Sequence, residues 1–187
     1  AELLALLTLA DPHPTLARMH AHGVLGVILP EAGADEVAAL AALIAQEAAQ
    51  GLAPDPIRRL AALLPASPQL AEVVAARLRL SKFQRGRLVS ASARSAADAD
   101  NPRALAYAMG VPPAQDRLLL LGADARALAD WQPPVFPLKG GAIVAQGVSA
   151  GPAVARILKS IEARWVAEGF PPDERIAQIL SEELAKI

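Results

Sequence analysis

The sequence contains no cysteine, and only 3% of its 187 residues are aromatic. The lack of cysteine excludes disulfides, thiol catalysis and cysteine-ligated zinc, and it is typical of proteins of the reducing cytoplasm. The scarcity of aromatic residues leaves Ala, Leu, Val and Ile to fill the core of a chain that is 53% hydrophobic. Because Ala and Leu are strong helix formers, this composition favours packed helices over sheets.

Long hydrophobic runs are also missing. No apolar segment approaches the roughly 20 residues needed to span a bilayer, so we expect no membrane association and a cytoplasmic location. The first residues, AELLALLTLADPHP, have neither an initiator Met nor a basic segment, and so do not resemble a signal peptide. We expect the chain to be a piece of a longer protein.

Helix start and stop signals recur along the whole chain. Ser67 and Asn101 are each followed by proline, as N-caps often are, and Ser81 with Gln84 has the spacing of a capping box. No segment alternates polar and apolar residues with the period of a half-buried strand. The sequence therefore predicts an all-α fold, an irregular array of about ten short helices, among them two short ones at PPAQDRLLLLG and ADARALADW.

One segment, WQPPVFP at 131–137, is a plausible domain boundary. Its three prolines favour an extended, stiff backbone. We predict a helical domain over 1–130 and a helical subdomain over 131–187, an arrangement that is also compatible with a single packed domain.

The net charge of −1 conceals an uneven distribution. No acidic residue lies between Glu72 and Asp98, and this segment carries six cations: Arg77, Arg79, Lys82, Arg85, Arg87 and Arg94. A concentrated basic surface on a nearly neutral protein indicates a polyanionic partner. The alternative is that these cations only form a solvated surface.

The glycine-rich segment 134–165 does not have the pattern of a phosphate-binding P-loop. Gly147 and Gly151 are four residues apart, and Gly151 precedes Pro152 rather than a lysine and a hydroxyl residue. We expect Gly151 and Pro152 to begin a long helix instead. The connecting turn GVSAGP resembles that of helix-hairpin-helix modules, in which backbone amides at a helix N-terminus hold a phosphate.

No arrangement of residues predicts catalysis or metal binding. His20 and His22 are two apart on a helix and point to different sides, and His13 adds no metal-ligand spacing. Asp98 and Asp100 form a D-x-D pair, but in a loop before a helix start, where a capping or solvated role is expected. The serines have no neighbouring histidine to act as a base.

Three segments, in this order, resemble one family. They are PHPTLARMHAHGVLGVILPEA (12–32), ARLRLSKFQRGRL (76–88) and WQPPVFPLKGGAIVAQGVSAGPAVARILKSIEARWVAEGF (131–170). Together they are similar to the C-terminal region of bacterial tRNA nucleotidyltransferases, of the CCA-adding and poly(A) polymerase family. The chain departs from that pattern at Ala142, where the family usually has an acidic residue, and at Ala155, where it often has glycine.

The resemblance implies a poly(A) polymerase C-terminal-like fold, comprising the end of the neck, the body and the tail. In that family these parts hold the acceptor and T arms of tRNA while an N-terminal head, using Mg²⁺, adds nucleotides to the 3′ end. The head has no counterpart in this chain. We therefore expect the chain to be inactive alone, to contain no cofactor, and to have tRNA and its own catalytic head as partners.

The basic residues and the resemblance together predict an RNA-binding surface. A-form RNA is gripped by its phosphates and 2′-hydroxyls, so we expect cations of both regions to line one concave surface. The predicted RNA-binding residues are Arg77, Arg79, Lys82, Arg85, Arg87, Lys139, Gly140, Arg156 and Lys159. Two alternatives stay open: a DNA-binding module of helix-hairpin-helix type, and a helical protein-interaction scaffold with an exposed apolar groove.

Overall fold

A computed structural model describes residues 2–186, and every regular element within this range is helical. The twelve α-helices are α1 (Glu2–Leu7), α2 (His13–Ala21), α3 (Val24–Ile28), α4 (Ala34–Ala49), α5 (Pro56–Ala62), α6 (Pro68–Arg77), α7 (Lys82–Ser92), α8 (Pro102–Met109), α9 (Val111–Leu120), α10 (Gly140–Val144), α11 (Pro152–Ala167) and α12 (Asp173–Leu184). Two 3₁₀ turns occupy Ala96–Ala99 and Arg126–Leu128. The all-α prediction is confirmed, with slightly more helices than the ten or so expected.

The predicted caps begin the helices that they precede. Ser67 Oγ accepts a hydrogen bond from the amide of Leu70 at 3.3 Å, and Asn101 Oδ1 accepts one from Ala104 at 3.0 Å. Ser81 and Gln84 each accept a hydrogen bond from the other's amide, which completes a capping box at the start of α7. Each cap satisfies an amide that has no partner within its helix.

Two segments differ from the sequence prediction. The stretch ADARALADW was expected to form a short helix, but it forms only the turn at Arg126–Leu128. The carboxylate of Asp124 accepts a hydrogen bond from the amide of Arg126 at 2.9 Å, a local bond that competes with helix formation. The C-terminal helix α12 was not predicted individually.

The structure divides into two compact units between Trp131 and Gln132. This division falls at the first residue of the proline-rich segment WQPPVFP. Unit 1 contains α1 to α9 and unit 2 contains α10 to α12.

The core of unit 1 is built from leucine and alanine. Its fully buried side chains include Leu7, Leu16, Leu25, Leu29, Leu40, Leu60, Leu63, Leu64, Leu88, Leu118 and Leu119. Alanines such as Ala61, Ala71 and Ala91 lie between them and allow the helices to approach closely. Within this unit, α7 packs against α5, α6 and α9, so its position is fixed from three sides.

Unit 2 has a separate core in which α11 packs against both α10 and α12. Its buried side chains are Ile143, Val154, Ile157, Ile161, Trp165, Ile176 and Ile179. Phe136 and Phe170 lie against Trp165, with ring centroids 5.2 Å and 5.0 Å away. The indole Nε1 donates a hydrogen bond to the carbonyl of Pro171 at 2.8 Å, so the polar atom of this buried ring is satisfied.

Among the residues described, no helix combines the length and the apolar character that crossing a bilayer requires.

Candidate functional site

Three of the predicted RNA-binding arginines form ion pairs with carboxylates of unit 1. Arg77 forms a two-pronged pair with Glu31, at 2.9 Å and 2.5 Å, and its hydrogen bond lowers the pKa of the Glu31 carboxyl. Arg85 pairs with Glu72. The segment from 77 to 94 has no acidic residue of its own, but the fold brings carboxylates to it from elsewhere in the sequence. Three of its six cations therefore have a carboxylate partner among the described residues.

Arg87 is held most firmly of the three. Its guanidinium donates to both carboxylate oxygens of Asp116, at 2.6 Å and 2.8 Å, and to Asp55 at 2.6 Å. Only 15% of its side chain is exposed. Burial lowers the pKa of Arg87, but the two carboxylates outweigh it and raise the pKa above its ordinary value. Arg87 thus serves to join α7 to α9 and to the start of α5.

Arg79 and Lys82 are exposed, and neither has an ion pair with any described residue. They lie where α6 turns into α7, and we call residues 79–86 the α6–α7 elbow. The turn is closed by hydrogen bonds from Arg79 N to Ala76 O at 3.1 Å and from Leu80 N to Ala75 O at 2.9 Å. This is a Schellman motif, which requires a left-handed residue. That residue is Arg79, with φ of 53°.

A left-handed arginine is unusual, because any residue with a Cβ atom pays about 1 kcal/mol or more to adopt this backbone conformation. Glycine occupies the corresponding position after α4 and α9, at Gly51 and Gly122. An arginine in this place carries a positive charge into solvent at a sharp bend of the chain. Strained residues of this kind are concentrated at functional sites.

The exposed face of α7 adds an aromatic ring to these cations. Phe83 is 77% exposed. It lines a groove of about 820 Å³ together with Lys82 and Gly86 of α7 and with Met109, Pro112 and Pro113 around the α8–α9 turn. We call this the Phe83 groove. No described residue that lines it is acidic.

Gly86 leaves space along this face. A Cβ atom at Gly86 would meet no other atom within 4 Å, although the residue lies in the interior of α7. Glycine is unfavourable inside a helix, and no packing contact with the described residues requires it here. Gly86 therefore leaves open space on the surface of α7 near Phe83.

Three of the four predicted residues of unit 2 are exposed cations. Lys139, Arg156 and Lys159 have no ion pair with any described residue. Arg156 and Lys159 are three residues apart on the solvent face of α11, because Val154, Ile157 and Ile161 face the core. Gly140 has a packing role instead: a Cβ there would lie 3.2 Å from Val154 Cγ1, so glycine lets α10 approach α11.

The sequence analysis did not predict that Arg58 and Arg59 are buried. Glu47 accepts from Arg58 at 2.6 Å and from Arg59 at 2.8 Å, and Asp116 accepts from Arg58 Nε at 2.9 Å. Arg59 also donates to the carbonyls of Leu7, Leu9 and Ala10, which follow or end α1. Arg87 and Asp55 belong to the same set of ion pairs. The set thus contains three arginines and three carboxylates, and its net charge is zero. We call these six residues the buried charge network.

Burial raises the pKa of Asp55, but hydrogen bonds from the amide of Arg58 and the guanidinium of Arg87 outweigh it and hold that pKa below its ordinary value. The Asp55 carboxyl therefore stays ionised near neutral pH. The signal for it in the sequence was the adjacent pair Arg58–Arg59 inside an otherwise apolar helix, ahead of the apolar run LAALL.

The other candidate residues do not come together. No group of three or more His, Asp or Glu side chains in residues 2–186 is close enough to hold a metal ion. In the D-x-D pair, Asp98 accepts from the amide of Ser95 at 3.0 Å and pairs with Arg117 at 3.2 Å. Asp98 thus stabilises the turn at Ala96–Ala99 and connects it to α9.

The sequence matches no known protein-family model, and no curated protein matches it significantly.

Proposed function

We propose that this chain binds folded RNA, as the tRNA-holding C-terminal region of a nucleotidyltransferase of the CCA-adding type. The observation that carries the proposal is the α6–α7 elbow. There Arg79 and Lys82 are exposed and have no carboxylate partner in residues 2–186, and Phe83 beside them is exposed as well. The resemblance of three collinear segments to that family supports the same function. The acceptor and T arms of tRNA would be the part bound.

The chemistry of binding follows from the shape of A-form RNA. Its deep major groove does not admit side chains, so a protein that accepts every tRNA must contact phosphates and 2′-hydroxyls. Arg79 and Lys82 in unit 1, and Lys139, Arg156 and Lys159 in unit 2, are the cations available for such contacts. Arg77, Arg85 and Arg87 contribute less, because each already neutralises a carboxylate.

Nucleotide addition belongs, in this proposal, to a head outside this chain. Mg²⁺ would be held there, as the resemblance to the family implies. The cytoplasm, where a chain without cysteine suits the reducing conditions, is the proposed location.

A specific observation also favours a protein-interaction scaffold. That alternative predicts an exposed apolar groove, and the Phe83 groove is one. The two functions differ in what they require of the cations. A scaffold would bind RNA weakly or not at all, whereas the proposed function requires binding that falls steeply as salt is raised.

The test is to measure tRNA binding at several salt concentrations, in the unaltered chain and in the double variant Arg79→Gly with Lys82→Ala. Each lost phosphate contact should reduce the slope of log K against log salt by about 0.7 to 0.9, so the double variant should lose about 1.5 units of slope. Arg79→Gly suits the left-handed position and should leave the fold intact.

The matched control is Arg126→Ala, which removes an exposed arginine already paired with Asp124. It should leave the slope unchanged. Equal slopes for the double variant and the unaltered chain, or no tRNA binding, would overturn the proposal. Stronger binding to duplex DNA than to tRNA would favour the helix-hairpin-helix alternative instead.

A further inference from the structure

We propose that the Phe83 groove binds the base of an unpaired nucleotide in the RNA, with the Lys82 ammonium on that nucleotide's phosphate. This inference rests on the proposed RNA-binding function and adds to it a defined subsite. The occupant is a single unstacked nucleotide, from an end, a loop or a bulge.

Phe83 stands apart from the other aromatic residues. The chain has six, all within the described residues, and Phe83 alone among them is exposed. Phe136, Trp165 and Phe170 pack on each other in unit 2, and Trp131 packs against the core of unit 1. A protein with so few aromatic side chains uses nearly all of them for packing. The exception is placed on an exposed helix face, in the wall of a groove of about 820 Å³.

The groove is lined by side chains that suit a flat ring. Phe83 provides an aromatic ring from α7, and Met109, Pro112 and Pro113 provide apolar surface from α8 and α9. Gly86, one turn after Phe83, has no side chain to obstruct the approach along α7. Stacking on an aromatic side chain does not depend on which base is present, which suits a protein that accepts every tRNA.

The charges favour a nucleotide over an apolar peptide. Lys82 lines the groove and has no described partner, whereas Arg87, also in the wall, is neutralised by Asp116 and Asp55. An apolar peptide would cover the Lys82 ammonium without pairing it, which is costly. A nucleotide supplies both a ring for Phe83 and an anion for Lys82.

The nucleotide must be unpaired because bases inside an A-form duplex are stacked and face away from the surface. Single-stranded bases can be turned out and stacked on protein rings. Duplex RNA should therefore contact the cations of the α6–α7 elbow without entering the groove. An adjoining single strand would add the base contact.

The test compares three RNAs that share one duplex: blunt, with a short single-stranded 3′ extension, and with an extension of equal length that lacks bases. The abasic extension carries the same phosphates, so it isolates the contribution of the bases. The full 187-residue chain should bind the base-carrying extension about tenfold more tightly than the abasic one. A 2-aminopurine in the extension should lose fluorescence on binding if it stacks.

Phe83→Ala should remove this tenfold difference and leave the affinity for the blunt duplex unchanged. Phe83→Trp should retain it, because a larger ring still stacks. Val73→Ala, which alters another exposed apolar residue, is the matched control and should change nothing. Phe83 is exposed, so its replacement should not unfold the chain, and circular dichroism checks this.

Equal affinity for the base-carrying and abasic extensions would overturn this inference while leaving duplex binding, and so the proposed function, in place. The same holds if Phe83→Ala leaves the tenfold difference intact. Failure to bind any of the three RNAs would overturn both. In that case the groove is better explained as a docking site for a protein partner.

Discussion

Arg58 and Arg59 are adjacent on α5, and both are almost completely buried, at 6% and 1% exposure. A buried guanidinium is tolerated only when its charge and its donors are satisfied. Arg59 achieves this with one carboxylate and three backbone carbonyls. Because those carbonyls follow or end α1, the side chain replaces helical hydrogen bonds that the chain could not make there.

Asp55 provides a prediction at the scale of a single residue. Its side chain accepts hydrogen bonds from the amides of Ile57 and Arg58, at 2.9 Å and 3.0 Å, and pairs with Arg87. Asp55→Asn retains a good N-cap residue but removes the charge. We expect it to reduce the free energy of unfolding by about 1 kcal/mol at neutral pH, after allowance for solvent screening.

The pH dependence of this effect has a definite sign. The pKa of Asp55 is lower in the folded chain than its ordinary value of 3.8, so the ionised form stabilises the fold. That contribution is fully present above pH 3.8 and is lost as the pH falls through the lowered pKa. Urea unfolding of both proteins across this range should show the difference shrinking with acidity. A difference that grows on acidification would contradict the assignment.

At the scale of an element, α7 has two unlike faces. Leu88 and Ala91 face the core of unit 1, while Lys82, Phe83 and Gly86 face solvent. The buried face and the capping box determine that this segment is a helix. The exposed face contributes little to folding, and we assign it to binding.

Two glycines in helices should respond in opposite ways to alanine. Gly86→Ala should raise the free energy of unfolding by about 1 kcal/mol, because the new methyl meets nothing and alanine is the better helix former. Gly140→Ala should lower it by about 1 kcal/mol, because the methyl would crowd Val154, which is buried and stiff at χ1.

Thermal and urea unfolding of the two variants, alongside the unaltered chain, provide the measurement. Adding Val154→Ala to Gly140→Ala should give less than the summed loss, because the two side chains no longer collide. A stabilising effect of Gly140→Ala would show that α10 and α11 can separate at little cost.

At the scale of the whole molecule, the buried charge network fixes how the helices of unit 1 meet. Glu47 lies on α4, Arg58 and Arg59 on α5, Arg87 on α7 and Asp116 on α9. Leucine and alanine contacts alone are not directional and would permit several helix registers. Ion pairs with fixed geometry select one of them, and this is the role that we assign to the network.

Asp116→Ala should be among the most damaging single changes in unit 1. Asp116 is fully buried and accepts from both Arg58 and Arg87, so its loss leaves two arginines short of a partner. The expected loss is about 3 to 5 kcal/mol of the free energy of unfolding, measured with urea. Asp124→Ala, at an exposed pair with Arg126, is the control and should have little effect. Near-equal stability of the two variants would contradict the assigned role.

Most of the helical framework was predictable from sequence. Ser67, Ser81 and Asn101 cap the helices that they precede, and Gly151 with Pro152 begins α11 as expected. These signals are local, since a cap involves residues within three or four positions of each other. The helix predicted for ADARALADW was wrong, because the Asp124 carboxylate accepts a hydrogen bond from the nearby amide of Arg126 and this bond competes with helix formation.

The candidate site was less predictable. In the acid-free segment between Glu72 and Asp98, the fold gives three of the six cations a carboxylate partner. Glu31 and Asp116 are distant along the chain, yet they neutralise Arg77 and Arg87. Counting charges along a sequence does not reveal such pairs. Arg79 and Lys82 belong to the same run of residues, and only the fold distinguishes them as unpaired.

The sequence alone determined that this protein is helical, where most helices begin, and that it has no disulfides, because composition, caps and breakers act over a few residues. The tertiary structure decided which arginines are buried, which of the described cations have no carboxylate partner, and that Phe83 is exposed beside a groove. These features depend on residues far apart in the chain. They arise only when the helices pack and bring carboxylates next to arginines, and this packing depends on many residues at once.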